Sequence, residues 1–116
     1  KAKNKNTLQS LLKHKRNRLL DNLGKADITS LVNFKLLNEY FIKNNLKVKK
    51  VVTQKFFLEK MGILERANNL SQKMSFKEQS NLFLRLKRLL DKKLMGNLFK
   101  VIFAYKSKKD NFLGFE

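Results

Sequence analysis

Residues 51–70 read VVTQKFFLEKMGILERANNL, and how this stretch folds decides what the rest of the chain can be. Val51 and Val52 are β-branched and favour extended backbone. After Thr53-Gln54 come Phe56-Phe57-Leu58, then Gly62-Ile63, then Glu65-Arg66-Ala67. The spacing predicts one helix over 54–61 ending at Gly62 and a second over 63–73. A strand that runs directly into helices belongs to a mixed α/β fold, and such a strand needs partners.

Working toward the N-terminus, LKVKKVVTQ (46–54) alternates apolar and basic residues before its valines, the pattern of a strand with one solvated face or of an edge strand. Phe34, Leu37, Tyr40 and Phe41 fall on one helical face, so 34–45 reads as a helix that starts after the cap residue Asn33 and stops at Asn44-Asn45. ADITSLVNF (26–34) is a strand-like entry to that helix. Residues 1–25, including LLKHKRNRLLDNLGK, are strongly basic with a broken apolar pattern. They read as a loop with one helical turn, ending at Gly24.

Toward the C-terminus, Ser75-Phe-Lys-Glu78 has the form of a capping box. The helix it opens carries Leu82, Phe83, Leu86, Leu89 and Leu90 and is expected to run to about Gly96. LFKVIFAY (98–105) reads as a strand covered on both faces. The phenylalanines at 56, 57, 76, 83, 99 and 103 occupy apolar positions of these elements and are expected in the core. A buried strand with one other strong strand beside it lacks neighbours. They are expected in another segment of the same polypeptide or in another chain, and the start at Lys1 rather than Met points the same way.

The totals exclude several classes of function. A chain of 116 residues makes at most one domain of ordinary size. Cysteine is absent, which removes disulfides, thiolate nucleophiles and Cys-based zinc sites, and the one histidine, His14, cannot build a multi-His metal site. No apolar run approaches the roughly 20 residues that span a bilayer, and nothing at the N-terminus resembles a signal peptide. The formal charge of +18 attracts nucleic acid, anionic membrane or an acidic protein. It is also what an AT-rich genome produces, being mostly Lys, with many Asn and no Pro. Both readings stand.

Few residues here suggest chemistry. Gly24, Gly62, Gly96 and Gly114 are far apart, so no phosphate-cradling turn is encoded, and each reads as a helix or loop terminator. His14, between Lys13 and Lys15-Arg16, is either a solvated loop residue or a base. Asp27 and Thr29 in DIT either bond locally in a turn or cap, or present a carboxylate that orients a cationic or amide substrate. No second carboxylate lies close in sequence for acid–base pairing.

Four blocks in order carry a family resemblance. NTLQS (6–10) with His14-Lys15, GKADITSLVNF (24–34), TQKFFLEKMGILERANNL (53–70) and MGNLFKVIFA (95–104) together resemble the MidA-like S-adenosylmethionine-dependent methyltransferases, which include the mitochondrial complex I assembly methyltransferase. Leu31 stands where many members carry a polar residue, and Asn33 where Asp is usual.

The resemblance implies an α/β fold: the C-terminal fragment of a Rossmann-like class I methyltransferase, mostly helical, with the last strands of the sheet. It divides the chain into a basic loop (1–25), a helix and strand (26–54), a helical insertion that shapes the substrate cleft (55–97) and a final strand (98–105). S-adenosyl-L-methionine would bind in a preceding N-terminal half, without a metal, so this chain alone would be inactive. The acceptor would be a protein side chain, an arginine in a respiratory complex I subunit by analogy. Gln9, His14, Asp27 and Thr29 would lie on the substrate side. The compartment would be bacterial cytoplasm or mitochondrial matrix. The competing readings are a small basic module binding RNA or an acidic protein, and a non-catalytic assembly scaffold.

Overall fold

In the computed structural model, residues 8–116 are described, and the chain forms two units, residues 1–33 and 34–116. In the first, β1 (Gln9–Leu12), β2 (Lys15–Asn17) and β3 (Asp27–Thr29) form an antiparallel sheet in the order β2-β1-β3. Within the loop expected over 1–25, residues 9–17 therefore form a hairpin, and residues 18–25 a turn that leads on to β3. Lys13 and His14, with φ of 50° and 64°, form the hairpin's two-residue turn. That left-handed pair matches the twist of the flanking strands, and Asn-Gly or Asp-Gly is its usual signature. Lys-His disguises it. The basic residues 1–7, with Asn6 and Thr7 of the first resemblance block, lie outside the described residues.

The second unit opens with α1 (Phe34–Lys43), directly after Asn33 as expected. Asn45 (φ 61°) ends it: its N–H donates to Ile42 O at 3.0 Å and that of Leu46 to Phe41 O at 3.0 Å. This is a Schellman closure with Asn in the left-handed position. The strand expected over 46–54 appears as β4 (Lys47–Val48) and β5 (Val52–Thr53), and that over 98–105 as β6 (Lys100–Val101) and β7 (Ala104–Tyr105). These pieces pair with one another. β4 faces β7 (Lys47↔Tyr105) and β5 faces β6 (Val52↔Val101), both antiparallel. Between them three residues, 49–51, oppose two, 102–103, so the ribbon carries a one-residue bulge that shifts the register. Residues 98–105 are thus not one strand buried on both faces: residues 101–105 are half-buried, and Leu98 belongs to a helix. Every ladder among the described residues is antiparallel.

Thr53 answers the puzzle of VVTQ. It ends β5, and its hydroxyl accepts from Phe56 N–H at 3.1 Å, capping α2 (Gln54–Lys60). Gly62, at φ 84°, turns the chain into α3 (Ile63–Ser71). The capping box forms in full at α4 (Phe76–Leu90): the Ser75 N–H donates to Glu78 Oε2 at 2.8 Å and the Glu78 N–H to Ser75 Oγ at 3.4 Å. This helix stops at Asp91, short of Gly96. Gly96 lies instead in α5 (Met95–Leu98), where a Cβ would come within 2.1 Å of the Leu90 carbonyl oxygen. It is required for close approach, not for termination. The C-terminal tail folds back onto the ribbon, placing Phe112 and Phe115 against Phe103 at ring-centroid distances of 4.8 and 5.3 Å.

Little is buried. Among the described residues the buried apolar side chains are Ala67 and Leu90. Phe57 and Phe103 are half-buried, whereas Phe56, Phe76, Phe83 and Phe99, expected in the core, are exposed. The chain shows 10,329 Å² of accessible surface. Two independent compact bodies of these sizes would together show about 7,800 Å². Among the described residues, large apolar side chains contribute to this surface, including Leu31 and Val32 in the first unit and Leu36, Tyr40 and Ile42 on α1.

Candidate functional site

The sheet of the first unit brings three of the four candidate residues together. Gln9 on β1 lies directly opposite Thr29 on β3, and Leu11 lies opposite Asp27. Side chains two residues apart on a strand share a face, so Gln9, Thr29 and Asp27 project from the same side of the sheet. All three are exposed. Leu11 also pairs with Arg16 on β2, which places Arg16 on that face too, one strand beyond Leu11 from Asp27. An amide, a hydroxyl, a carboxylate and a guanidinium therefore share one small surface. Directly opposed residues of adjacent strands have Cα atoms about 4.5–5.5 Å apart. His14 is separate from this group, at the exposed tip of the hairpin.

Arg16 was not singled out from the sequence, because a segment read as a loop assigns no face to its residues. The signal was present in SLLKHKRN: apolar residues on one side of Lys13-His14, basic residues on the other, and a gap of two that fits a hairpin turn.

The opposite face holds the sheet together. Ser10 is 3% exposed and accepts from the Asn17 side-chain amide at 3.2 Å. The same amide donates to the carbonyl oxygens of Arg18 at 3.0 Å and Asp21 at 2.7 Å, and Asn17 Oδ1 accepts from Asn22 at 3.1 Å. Asn17 thus pins the 18–25 turn that returns the chain to β3. Asn22 enters this turn left-handed, at φ 55°. The site is positioned by this polar network with very little apolar burial beneath it.

Two other side-chain groups stand out, both in the second unit. Asp110 accepts from Lys47 Nζ at 3.1 Å and from the Tyr105 hydroxyl at 2.9 Å. The hydrogen bonds from Lys47 and then Tyr105 lower the Asp110 carboxyl below its ordinary range. Desolvation, followed by the bond to Asp110, raises the Tyr105 phenol. This group fastens the tail. Gly62, Met61, Leu58, Leu70 and Met74 line an open apolar groove between α2 and α3, with Arg66 and Lys73 on its rim. Among the described residues no three His, Asp or Glu side chains are grouped to hold a metal ion, and no helix is long and apolar enough to cross a membrane.

None of the four glycines forms a turn that could cradle a nucleotide-like ligand. Gly62 and Gly24 turn the backbone at positive φ, while Gly96 and Gly114 give way to close neighbours.

Comparison with known proteins places the chain more closely. Residues 1–52 match the sequence profile of a family described as "Putative S-adenosyl-L-methionine-dependent methyltransferase". The match takes in the three-stranded sheet, α1, β4 and the start of β5. A crystal structure of a COG1565 superfamily member from Burkholderia thailandensis, bound to S-adenosyl-homocysteine, superposes with a TM-score of 0.75 at 24% identity, covering 93% of this chain and 28% of that one. A native crystal structure of a COG1565 superfamily protein from the same organism gives the same TM-score and identity, with 29% of that chain covered. This chain spans little more than a quarter of the length of these proteins and has the fold of that part of them.

Proposed function

We propose that this chain is a segment of an S-adenosylmethionine-dependent methyltransferase in which it provides substrate-side surface while the cofactor is held elsewhere. The observation that carries the reading is the profile match over residues 1–52, the region in which Gln9, Asp27 and Thr29 converge on one sheet face. The S-adenosyl-homocysteine in the similar structure supports it, being what remains of the donor after methyl transfer. The exposed apolar side chains of Leu31, Val32, Tyr40 and Ile42 support it also, since a longer protein would cover them.

On this reading Asp27 accepts hydrogen bonds from a cationic or amide acceptor, and Gln9 and Thr29 fix its orientation. A carboxylate facing a guanidinium forms charge-assisted bonds that hold the nucleophile in place. Arg16, on the same face, attracts a carboxylate elsewhere on the acceptor. The finer reading is a protein acceptor, an arginine side chain, in a MidA-like enzyme. It rests on the four sequence blocks described above.

The test is titration calorimetry with S-adenosyl-homocysteine on the 116-residue chain and on the longer polypeptide encoded by its gene. The longer polypeptide is expected to bind and the chain alone not to. Binding by neither removes the methyltransferase reading. Binding by the chain alone would put the cofactor site within these residues after all. In the longer polypeptide, Asp27→Ala is expected to raise KM for an arginine-containing acceptor by roughly tenfold without changing cofactor affinity.

A further inference from the structure

On the site face, one row of side chains runs straight across the three strands. Arg16 on β2 lies opposite Leu11 on β1, and Leu11 lies opposite Asp27 on β3. The two charged residues are exposed, and Leu11 between them is half-buried. Two strand spacings separate their backbones, about 10 Å. Neither Arg16 nor Asp27 is ion-paired among the described residues. Arg16 and Gln9 also line a recess of about 270 Å³, with Leu8, Ser10, Asn17 and Leu19. Ser10 is buried there, and the Asn17 amide is engaged by Ser10, Arg18 and Asp21. The exposed side-chain donors of the recess are then the Arg16 guanidinium and the Gln9 amide, a pair suited to one carboxylate.

The row restricts which cation Asp27 can receive. The hairpin and its end carry Lys13, Lys15, Arg16 and Arg18, with no carboxylate between Leu8 and Leu20. A lone cation approaching Asp27 is repelled by these charges. A segment that carries a carboxylate beside its cation turns that repulsion into attraction. Residues two apart in an extended segment share a side, about 6.8 Å from each other. The long Arg16 side chain covers the remaining distance.

We propose that Arg16 makes this face selective for an extended acceptor segment in which a cationic residue has a carboxylate two residues away. Asp27 receives the cation, Arg16 and Gln9 receive the carboxylate, and Leu11 lies under the backbone that joins them. The inference rests on the methyltransferase reading only in naming this segment as the acceptor. Asp27 selects a peptide over nucleic acid, whose backbone repeats anions and offers that carboxylate no cation. The same two charges argue against cover by the rest of a longer polypeptide, since burying them unpaired is costly. The exposed apolar side chains Leu36, Tyr40 and Ile42 are the surface such cover favours.

The test is anisotropy titration of the longer polypeptide, and of the 116-residue chain, with fluorescein-labelled peptides. Each peptide has one arginine in an otherwise uncharged, Thr-rich sequence, with Glu, Gln or Lys two residues on. The Glu peptide is expected to bind both proteins about fivefold more tightly than the Gln peptide, and the Lys peptide to bind least. Arg16→Gln is expected to remove the preference for Glu. Arg16→Glu is expected to reverse it, so that the Lys peptide binds best, an outcome that a merely structural role of Arg16 would not produce. Far-ultraviolet circular dichroism checks that both variants keep the fold. Failure of the Glu peptide to bind, equal binding of the three peptides, or a preference that survives Arg16→Gln overturns the proposal. So does an equal gain from Glu placed next to the arginine, which would mean that net charge alone is read. A preference shown by the 116-residue chain and absent from the longer polypeptide would mean that the rest of that polypeptide covers the face, and overturns it. Displacement of the Glu peptide by oligouridine from the wild type, and not from Arg16→Gln, would assign Arg16 to nucleic acid and overturns it too. Calorimetry with S-adenosyl-homocysteine judges the methyltransferase reading separately: if that ligand fails to bind while the peptide ranking holds, the segment selectivity stands without it.

Discussion

The sheet that carries the candidate site and the ribbon-and-helix unit that follows it are stabilised by different means. In the sheet, the buried side chain among the described residues is a serine, and the Asn17 amide ties strands and turn together. In the second unit, rings do most of this. Phe103 contacts Tyr105, Phe112 and Phe115, and Phe115 reaches Phe57 at 5.4 Å. Directional hydrogen bonds fix where Gln9, Asp27 and Thr29 stand, yet each contributes only about 1 kcal/mol net. The site face is therefore well positioned and weakly held, whereas the second unit tolerates loss of any one polar contact but not a packing clash.

That contrast is broken most severely at Gly96. Adding a methyl group there drives it into the Leu90 carbonyl, which belongs to backbone and cannot rotate away. Gly96→Ala is expected to cost about 3 kcal/mol or more in urea unfolding, mainly by separating α5 from α4. Phe103→Ala comes next, at about 2 kcal/mol, since it empties the centre of the aromatic cluster but starts from a half-buried ring. Neither change is expected to alter hydrogen-exchange protection in β1–β3. A matching loss of protection there would mean that the two units unfold as one.

Asn17→Ala is the reciprocal experiment. It leaves the 18–25 turn without its pin and is expected to cost about 1.5 kcal/mol, read as faster amide exchange in β1 and β3 with the second unit unaffected. Ser75→Ala, about 1 kcal/mol, removes the cap of α4. Its effect should depend on pH, because the bond from the Ser75 backbone N–H, and then that from its hydroxyl, lowers the Glu78 carboxyl below its ordinary value. A group lowered in the folded state stabilises at pH above its unfolded value, and that contribution fades as pH falls through the folded one. The gap between wild type and Ser75→Ala should narrow in acid.

These sites also show what the sequence could reveal. The capping box, the Gly62 break, the Asn45 stop and the helices over 54–71 are local: a few neighbouring residues dictate them, and all were legible. The bulged ribbon was legible only as two strands in need of partners, because their pairing with each other joins residues some fifty positions apart and is not recorded in local spacing. The hairpin at 13–14 was hidden by a turn without glycine. The core was misread for a different reason. Periodicity marks which positions are apolar, not what covers them, and Phe76 and Phe83 are as apolar as any buried residue. Of the candidate site, the DIT strand and its carboxylate were visible, while Arg16 and the convergence of Gln9 with Thr29 required the sheet register.

The smallest expected effect concerns the latch on the tail. Asp110 holds Lys47 and Tyr105 together, but all three groups reach solvent, and exposed pairs of this kind contribute little to stability. Asp110→Asn should therefore leave the unfolding midpoint nearly unchanged and act instead on the titration of Tyr105. With the carboxylate present, the phenol is raised, chiefly by desolvation and then by its bond to Asp110. Its contribution is thus intact below the ordinary tyrosine value and is lost as pH rises through the raised one. The Asp110 carboxyl is lowered, so its contribution is present above the ordinary carboxylate range and is lost only as pH falls through the lowered value. The latch should hold across the whole interval between. Near-ultraviolet titration of Asp110→Asn should show tyrosine ionising at lower pH than in the wild type, and an unchanged titration would mean that desolvation alone sets it. In either case Gly114, at φ 93° and packed against the Phe57 ring, keeps the tail in place by packing rather than charge.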